Sequence, residues 1–387
     1  MNRSDLPTPN DLRYMSQAIQ LAKKGRFTTT PNPNVGCVIV KNNIIIGQGW
    51  HQKAGTEHAE VHALKGLSLE QSKGATAYVT LEPCSHFGRT PPCAEALIKA
   101  NIARVVIAMQ DPNPQVAGNG VRLLNSAGIQ TVVGVLESEA RALNPGFLKQ
   151  MEHKKPFVQL KLASSLDGKT ALHNGQSKWI TDSAARADVQ TYRAMSCAII
   201  SSAKSVIADN AKLNVRANDL NFDYPFNGNV RQVRQPVKII LDGSNNLTTS
   251  NARELELFKD QDARIIIAKT PEHAEEADNA FDEFANVEIA AIDYQNGQFD
   301  LAQLLNACHG WQLNRVWVEA GAKLSASFVE QNLVDQLIVY IAPKLMGKNA
   351  IDLMPVGPFE KMTQAIELNL QDYRIIGNDI KLTYSFI

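Results

Sequence analysis

The stretch TAYVTLEPCSHFGRTPPCAEALIKANIARVVIAM, residues 76–109, decides the fold of the first half of the chain. It begins with apolar and β-branched residues, which predict a strand over 76–81. Apolar residues at helical spacing then predict a helix over 94–100, and the run that ends at Met109 predicts a second strand over 105–109. A strand, a helix and a second strand in this order indicate a sheet that is covered by helices.

The same alternation extends over the rest of the first half and then resets. Pro156 disfavours helix at the residue before it, and an apolar strand over 157–162 follows at once. We therefore predict two α/β domains, residues 1–152 and 153–387. Further elements of the first half are predicted as helices over 11–24, 58–66, 121–127 and 138–151, and as strands over 35–40, 44–50 and 131–136.

The second half shows a similar alternation of helix and strand patterns. A segment rich in Asn, Asp, Gly and Pro over 217–235 predicts a long surface loop. Strands are predicted over 197–201, 237–242, 264–268, 315–319 and 336–342, and helices over 183–195 and 301–309.

The bulk composition limits the classes of function that fit the chain. The 387 residues include 39 Lys plus Arg and 39 Asp plus Glu, so the formal net charge is zero. A protein that binds duplex nucleic acid needs a clustered excess of Lys and Arg, so this balance argues against that function. Five cysteines in a chain of this length do not form a disulfide framework. Neither a signal peptide nor a run of about 18 apolar residues is found. We expect a cytoplasmic protein that acts on a small molecule, with no nucleic-acid partner and no membrane contact.

One histidine and two cysteines of the first half have the arrangement of a catalytic zinc site. His58 opens a predicted helix, Cys84 follows a predicted strand, and Cys93 opens the next helix. Three protein ligands leave a fourth tetrahedral position for water, which distinguishes a catalytic zinc site from a structural one. Glu60 lies two residues after His58, close enough to move protons without binding the metal. This set matches the pattern of the zinc deaminases.

Other interpretations of these residues remain open at this point. The cysteines are nine residues apart, farther than the usual Pro-Cys-x-x-Cys spacing, so two buried cysteines and a capping histidine can coincide by chance. A purely structural zinc needs a fourth ligand, and none presents itself at this spacing. A nucleic-acid base deaminase has the same zinc chemistry but predicts a basic face. His62 is predicted to pack beside the site, and His273 to lie on a solvated helix.

Ten short motifs, five in each half, extend these observations over nearly the whole chain. Those of the first half are TPNPNVG (30–36), HAEVHAL (58–64), LEPCSH (81–86), GRTPPC (88–93) and DPNP (111–114). Those of the second half are KLASSLDG (161–168), SKWIT (177–181), AD (208–209), VEAG (318–321) and IAPKLMG (341–347). Together they resemble the RibD family of bifunctional riboflavin biosynthesis proteins. The cysteine spacing and the Asp-Pro-Asn-Pro loop separate this family from nucleoside and tRNA deaminases.

The resemblance implies a cytidine-deaminase-like three-layer α/β/α domain, followed by a dihydrofolate-reductase-like α/β domain. It implies one zinc ion per chain on His58, Cys84 and Cys93, with Glu60 as the proton shuttle. The implied reaction is hydrolytic deamination of 2,5-diamino-6-(5-phosphoribosylamino)pyrimidin-4(3H)-one. Its substrate-binding positions fall on Asn32, His51, Arg89, Asp111 and Asn113, and among these the basic side chains suit the ribose phosphate.

For the second domain, the resemblance implies NADPH-dependent reduction of the ribosyl group of 5-amino-6-(5-phosphoribosylamino)uracil to ribityl. The substrate contacts fall on Lys161, Ser177, Arg193, Leu213, Arg216 and Glu319, and the two arginines suit a 5-phosphate. The NADPH contacts fall on Ala163, Trp179, Ser205, Asp209, Gly243, Ser244, Gly321, Ala322, Lys323, Leu324, Ser325, Ala326 and Ser327. We further expect a homo-oligomer, either a dimer or a tetramer.

One turn of the second half departs from the pattern of the family. Relatives often carry Asp-Ser and then a basic residue, whereas this chain has Asp-Gly-Ser-Asn-Asn at 242–246. Asn245 and Asn246 offer the 2′-phosphate of NADPH only neutral hydrogen bonds, which are weaker than charge-assisted ones. The turn therefore predicts weaker discrimination against NADH, unless Lys269 or Lys323 compensates.

Overall fold

The computed structural model describes residues 7–85, 91–113, 117–220, 233–277 and 281–387. It separates into two units, Met1–Lys154 and Lys155–Ile387. The predicted boundary at 152 lies in the last turn of the helix Pro145–His153, which ends where Lys154 takes a φ of 55°. In the described ranges, no helix is both long and apolar enough to cross a membrane.

The first unit contains a five-stranded sheet. Its strands are β1 (Gly36–Lys41), β2 (Ile44–Trp50), β3 (Thr76–Val79), β4 (Arg104–Ile107) and β5 (Gln130–Val133). Its helices are α1 (Pro9–Ala22), α2 (Ala59–Leu64), α3 (Leu69–Ser72), α4 (Cys93–Lys99), α5 (Asn119–Ser126), α6 (Glu137–Leu143) and α7 (Pro145–His153). The strand order is β2-β1-β3-β4-β5, in which β1 is antiparallel to both neighbours and β3, β4 and β5 are parallel.

Alternate residues of β1 enter two different hydrophobic cores. Val38 and Val40 pack in the core that includes Met15 of α1, whereas Cys37 and Ile39 pack in the core that includes α2 and α4. Successive side chains of a strand point to opposite faces of the sheet. Both faces are therefore covered by helices, and the three-layer arrangement predicted for this half is confirmed.

The single helix predicted over 138–151 is wrong, because the chain breaks it at Asn144 into α6 and α7. Pro145 has no backbone N–H and is favoured at the start of a new helix. The side chain of Asn144 bonds both backbone groups of Asn34, accepting from the N–H at 2.7 Å and donating to the carbonyl oxygen at 3.0 Å. The break therefore holds the loop that carries the predicted substrate residue Asn32.

The second unit contains a nine-stranded sheet and two small two-stranded sheets. Its helices are α8 (Ser183–Met195), α9 (Ala203–Asp209), α10 (Thr249–Ala252), α11 (Pro271–Glu276), α12 (Leu301–Gly310) and α13 (Ala322–Glu330). Its strands are β6 (Phe157–Ser165), β7 (Lys169–Ala171), β8 (Ala198–Ser202), β9 (Val237–Leu241), β10 (Ile265–Lys269), β11 (Val287–Ala291), β12 (Tyr294–Gln295), β13 (Gln298–Phe299), β14 (Arg315–Glu319), β15 (Gln336–Ala342), β16 (Ile351–Asp352), β17 (Leu368–Ile376) and β18 (Asp379–Phe386).

The large sheet has the order β11-β10-β9-β8-β14-β6-β15-β18-β17. The strands from β11 to β15 in this order are parallel, and the hairpin of β17 and β18 adds an antiparallel edge. The predicted helix over 183–195 and the predicted strands over 315–319 and 336–342 are confirmed residue for residue. The hairpin was not predicted. Of the predicted loop over 217–235, residues 221–232 lie outside the described residues.

Candidate functional site

Three side chains of the first unit converge from three different elements. His58 precedes α2, Cys84 follows β3, and Cys93 is the first residue of α4. The Nδ1 atom of His58 lies 3.2 Å from Sγ of Cys93 and 3.7 Å from Sγ of Cys84. All three ligand atoms lie within 4.8 Å of one another, so one ion can contact all of them.

This donor set fits zinc, which imidazole nitrogen and thiolate sulfur bind well. Within the described ranges the cluster has these three members, which disfavours a structural zinc with four protein ligands. The hydrogen bond from the Cys93 thiol and the nearby His58 hold the pKa of Cys84 well below the usual thiol value. The same hydrogen bond, together with burial, raises the pKa of Cys93. Zinc binds cysteine as the thiolate, so metal binding at this site releases thiol protons.

Glu60 is the buried acid of this site. It is the second residue of α2, and only 3% of its surface is exposed. Burial raises the pKa of Glu60 to about 7, with a contribution in the same direction from the Cys84 thiolate and an opposing one from His58. A carboxyl group that titrates near neutrality can both accept and release a proton at physiological pH. These properties suit the proton-shuttle role that is predicted for Glu60.

Asn32 and His51 form a hydrogen-bonded pair beside the metal ligands. The Nδ2 atom of Asn32 lies 3.3 Å from Nε2 of His51, and Nδ1 of His51 lies 3.1 Å from the carbonyl oxygen of Glu57. Since Nδ1 must donate to that carbonyl, Nε2 is the unprotonated nitrogen and accepts from the amide. The His51 ring lies edge-on to the ring of His58, with 5.5 Å between centroids.

The phosphate contact of His51 stays a prediction, and the pKa of His51 bears on its form. Burial lowers the pKa of His51 to about 4, although its hydrogen bond to Glu57 acts in the opposite direction. The imidazole is therefore neutral at physiological pH. In this form His51 offers the substrate a neutral hydrogen-bonding edge.

Asp111 and Asn113 lie in the loop that follows β4. Asp111 is 9% exposed, and its Oδ1 accepts the N–H of Asn113 at 2.9 Å. The backbone N–H of Asp111 donates to Glu82, which lies two residues before Cys84 in the chain. The loop is thus attached to the segment that carries one metal ligand. Arg89 falls within residues 86–90, outside the described residues, and its role stays a prediction.

The predicted cofactor residues of the second unit lie on or just after several strands of the parallel sheet. Ligands of parallel sheets bind at the carboxyl ends of the strands. Ala163 lies on β6, Ser205 and Asp209 on α9 after β8, Gly243 and Ser244 after β9, and Gly321–Ser327 after β14. A cavity of about 420 Å³ is lined by six of these residues, namely Gly243, Ser244, Lys323, Leu324, Ala326 and Ser327.

One wall of this cavity is the hairpin of β12 and β13, which was not predicted. Its turn residues Asn296 and Gly297 have φ values of 52° and 81°, as a type I′ turn requires. The Asn-Gly dipeptide was therefore a signal that could have revealed the hairpin. A Cβ atom at Gly243 would lie 2.5 Å from the ring of Tyr294, so a glycine at the end of β9 allows the hairpin to approach.

Arg193 and Glu319, both predicted as substrate contacts, bind each other. Nε and Nη2 of Arg193 donate to the two carboxylate oxygens at 2.6 and 2.8 Å, and Nη1 donates to the carbonyl oxygen of Asn214 at 2.9 Å. Burial alone would raise the pKa of Glu319, but the positive charges of Arg193 and Lys161 hold it at about 2. Glu319 and the carbonyl oxygen of Asn214 thus bind the Arg193 guanidinium in this structure, and the 5-phosphate contact of Arg193 stays a prediction.

The other predicted contacts of this unit differ in exposure. Arg216 is exposed and pairs with Asp219 at 2.5 Å, so it remains open to a phosphate. Leu213 is buried, Ser177 is half-buried, and 64% of the Trp179 surface is exposed.

Lys269 was predicted from its sequence position as a possible contact of the NADPH 2′-phosphate, but the structure makes this contact impossible. Its side chain is fully buried. Its Nζ donates to Asp242 at 3.1 Å, to the carbonyl oxygen of Leu247 at 3.3 Å, and to Asn245. The lysine thus stabilises the turn after β9 by hydrogen bonds to three of its residues. Lys323, which is exposed and lines the cavity, remains as the cationic candidate.

Comparisons with known proteins agree with this pair of sites. The family model of the RibD C-terminal domain matches residues 156–382, and that of the cytidine and deoxycytidylate deaminase zinc-binding region matches residues 8–109. The riboflavin biosynthesis protein RibD of Escherichia coli K12 is 46% identical over 372 residues, which cover 96% of this chain and 98% of that protein. The chain belongs to the RibD family. The RibD protein of Haemophilus influenzae is also 46% identical, over 97% of both chains.

Solved structures of RibD proteins show the same architecture. Form 1 of Acinetobacter baumannii RibD superposes with a TM-score of 0.85 at 43% identity and covers 98% of this chain and 99% of its own. A Thermotoga maritima structure, described as a diaminohydroxyphosphoribosylaminopyrimidine deaminase/5-amino-6-(5-phosphoribosylamino)uracil reductase, gives 0.83 at 33% identity and covers 98% of this chain and 99% of its own.

Membership of the RibD family confirms the predicted fold class of both halves. The chain is a bifunctional deaminase and reductase of riboflavin biosynthesis, with zinc and NADPH as its cofactors. The nucleic-acid base deaminase considered above is thereby disfavoured.

Proposed function

We propose that the first unit converts 2,5-diamino-6-(5-phosphoribosylamino)pyrimidin-4(3H)-one into 5-amino-6-(5-phosphoribosylamino)uracil and ammonia. The observation that carries this proposal is the cluster of His58, Cys84 and Cys93 with the buried acid Glu60 beside it. The Thermotoga maritima relative is described as a diaminohydroxyphosphoribosylaminopyrimidine deaminase. Zinc, when bound to the three ligands, supplies hydroxide at neutral pH.

Glu60 handles the protons of this reaction. Its carboxyl group is buried beside the metal ligands, where it can take a proton from the attacking water and give protons to the ring and then to the leaving amine. Asn32 and the neutral His51 offer hydrogen-bonding edges for the pyrimidine nucleotide. Asp111 and Asn113 contribute further polar groups from the loop after β4, and Arg89 is the proposed phosphate ligand.

We propose that the second unit reduces the ribosyl group of the deaminated product to a ribityl chain. NADPH, when bound, supplies the hydride, so that the protein mainly has to orient the two molecules. The cavity lined by Gly243, Ser244 and Lys323 supports cofactor binding at this edge of the sheet. The ion pair of Arg193 and Glu319 offers a rigid polar surface for the sugar.

The two activities are proposed to reside in separate parts of the chain, residues 1–152 and 153–387. The two family matches, at 8–109 and 156–382, support this division. Fragments divided after Lys154, where the units separate, provide the test. We expect the first fragment to release ammonia and the second to oxidise NADPH with the deaminated product. A folded, zinc-loaded first fragment without deaminase activity would contradict the assignment.

The full-length protein tests the two reactions themselves. Purified protein is incubated with the diaminopyrimidine phosphate, and ammonia is measured with and without NADPH. We expect ammonia in both cases, and NADPH oxidation only after ammonia has appeared. NADPH oxidation that precedes ammonia release would contradict the proposed order, and absence of ammonia would contradict the deaminase assignment.

We also propose that the protein forms a homo-oligomer, a dimer or a tetramer, in the cytoplasm. Strand β17 ends the large sheet and exposes 71% of Tyr373 and 78% of Ile375, and Ile375 pairs across the hairpin with Ile380, which is 43% exposed. Contiguous exposed apolar residues on an unpaired edge strand are typical of an interface. Sedimentation should show an oligomer that Ile375→Asp dissociates, whereas Leu345→Asp, at another exposed apolar residue, should not. A monomeric wild-type protein would contradict this proposal.

A further inference from the structure

Glu82 is a buried acid next to the metal site whose role the deaminase chemistry leaves open. Only 3% of its surface is exposed, and it lies two residues before Cys84. The backbone N–H groups of Asp111, Gly118 and Val121 donate to its carboxylate. Oε2 accepts from Asp111 at 3.2 Å and from Gly118 at 3.0 Å, and Oε1 accepts from Val121 at 3.1 Å.

These three donors lie at the two ends of one segment. Asp111 begins the loop that carries the proposed substrate residues, whereas Gly118 and Val121 belong to the N-terminus of α5. The backbone N–H of Glu82 also donates to the carbonyl oxygen of Met109 at 3.0 Å. A carboxylate at a helix N-terminus is stabilised by the unpaired N–H groups and by the helix dipole. One side chain thus joins the start of the loop to the helix that follows it.

The packing around Glu82 permits little alternative placement. A Cβ atom at Gly120 would collide with the carbonyl oxygen of Pro83, and it would lie 3.2 Å from Oε1 of Glu82. Gly118 has a φ of 73°, which favours glycine. The helix N-terminus is therefore pressed directly against the Glu82-Pro83 segment that leads to the ligand Cys84.

We propose that Glu82 is a positioning residue of the deaminase, which sets Asp111 and Asn113 relative to the metal ligands. The side chain of Asp111 accepts the N–H of Asn113, so the placement of one residue is passed to the other. Glu82 does not itself touch the substrate in this account. The inference rests on the proposed deaminase function. It adds that Glu82 holds the substrate-binding residues in place relative to the metal ligands.

The chemistry of the site requires a carboxylate rather than an amide. Both oxygens of a carboxylate accept hydrogen bonds, whereas the nitrogen of a glutamine only donates. In Glu82→Gln, the side-chain NH₂ group therefore replaces one of the two accepting oxygens and points at a backbone N–H, which also can only donate. That conflict moves the loop or the helix terminus. Displacements of about 1 Å at positioning residues can reduce an enzymatic rate about 100-fold.

The first experiment measures both activities of full-length Glu82→Gln together with its zinc content. We expect at least about a tenfold lower kcat/KM for deamination, mostly through a higher KM, with zinc content and NADPH-dependent reduction as in the wild type. Asp11→Asn is the matched control, because Asp11 is fully buried and bonds Thr8, Tyr78 and Arg104, away from the substrate loop. It should lower the melting temperature and leave the KM unchanged.

The second experiment asks whether Glu82 acts through the loop. Asp111→Asn is made alone and together with Glu82→Gln. If Glu82 positions Asp111, the two losses in kcat/KM are not additive, and Glu82→Gln costs much less in the Asp111→Asn background. Should Glu82→Gln fail to fold, Glu82→Asp, which retains the carboxylate with a shorter reach, takes its place in both experiments.

Three results would overturn the inference. These are a wild-type KM in the Glu82 variant, loss of zinc in proportion to the loss of activity, and full additivity with Asp111→Asn. Failure of the proposed function is distinguishable, since in that case the wild-type protein itself releases no ammonia.

Discussion

Two glutamates, the buried Glu60 of the first unit and the largely buried Glu319 of the second, have opposite protonation behaviour. Glu60 lies among a histidine and two thiols, and burial raises its pKa to about 7. Burial acts in the same direction on Glu319, but Arg193 and Lys161 bring its pKa down to about 2. A buried acid without a permanently charged partner can exchange protons at neutral pH, whereas a paired one is a fixed charge. The first unit therefore has a group for proton transfer, and the second has a group for orientation.

The largest effect is expected for Glu60→Gln. Removing a general acid–base should slow deamination by about 10²–10⁴-fold, while His58, Cys84 and Cys93 still hold zinc. Metal content and ammonia release measured on one preparation test this expectation. Glu95→Gln is the matched control, because Glu95 lies two residues after Cys93, as Glu60 does after His58, but pairs with Lys99 at the surface. Near-normal turnover of Glu60→Gln would contradict the proton-shuttle role of Glu60.

Glu319→Gln tests the fixed-charge half of the comparison. It leaves the largely buried Arg193 guanidinium without its counter-charge, and breaking a buried pair in this way typically costs about 3–5 kcal/mol. We expect a lower free energy of unfolding for the second unit and slower NADPH-dependent reduction, with unchanged deamination. Urea unfolding and both activity assays provide the measurements. Glu288→Gln, which breaks the exposed pair with Arg264, should cost less than about 1 kcal/mol. Equal costs for the two variants would contradict this interpretation.

The same contrast explains how much of each site could be predicted from the sequence. His58, Glu60, Cys84 and Cys93 were found because zinc and proton chemistry require particular residue types, and helix and strand ends bring them together. In the second unit, the sites followed only from family resemblance. The pair of Arg193 and Glu319 joins residues that are 126 positions apart, so its ion pair is a property of the folded sheet.

The fold was predictable to a similar degree. Buried strands and amphipathic helices such as 183–195 follow from periodicity, because packing repeats with the backbone. The break at Asn144 depends on hydrogen bonds to Asn34, which is 110 residues away. The exposed strand β17 has apolar side chains on its open face and a bulge between Leu370 and Asp372, so it lacks the regular alternation of a half-buried strand.

A third buried acid, Asp11, extends the comparison to pH. Burial alone would raise its pKa, but hydrogen bonds from Arg104 and Thr8 hold the pKa at about 2. Because this folded-state pKa lies below the usual aspartate pKa of 3.8, the group stabilises the first unit above about pH 4. That stability is lost as the pH falls from 4 towards 2. Thermal unfolding of wild type and Asp11→Asn should differ at pH 6 and converge near pH 2, and a constant difference would contradict the assignment.

The smallest effect is expected for the choice of nicotinamide cofactor. Lys323 lines the cavity, whereas Lys269 is buried and donates hydrogen bonds within the turn after β9. Loss of one charge-assisted hydrogen bond in Lys323→Ala should lower the NADPH/NADH ratio of catalytic efficiencies about tenfold. Asn246→Arg, on the exposed side of the same turn, should raise that ratio. A large wild-type ratio that neither substitution changes would show that the 2′-phosphate is bound elsewhere.

The central claim is that deamination in the first unit, which depends on proton transfer, is independent of reduction in the second unit, which depends on orientation. Removal of zinc tests this claim most directly. The full-length protein is treated with a chelator, and both activities are measured before and after zinc is restored. We expect deamination to disappear and to return with zinc, while NADPH-dependent reduction of 5-amino-6-(5-phosphoribosylamino)uracil continues throughout. Deamination that survives complete zinc removal, or reduction that is lost along with it, would contradict the account.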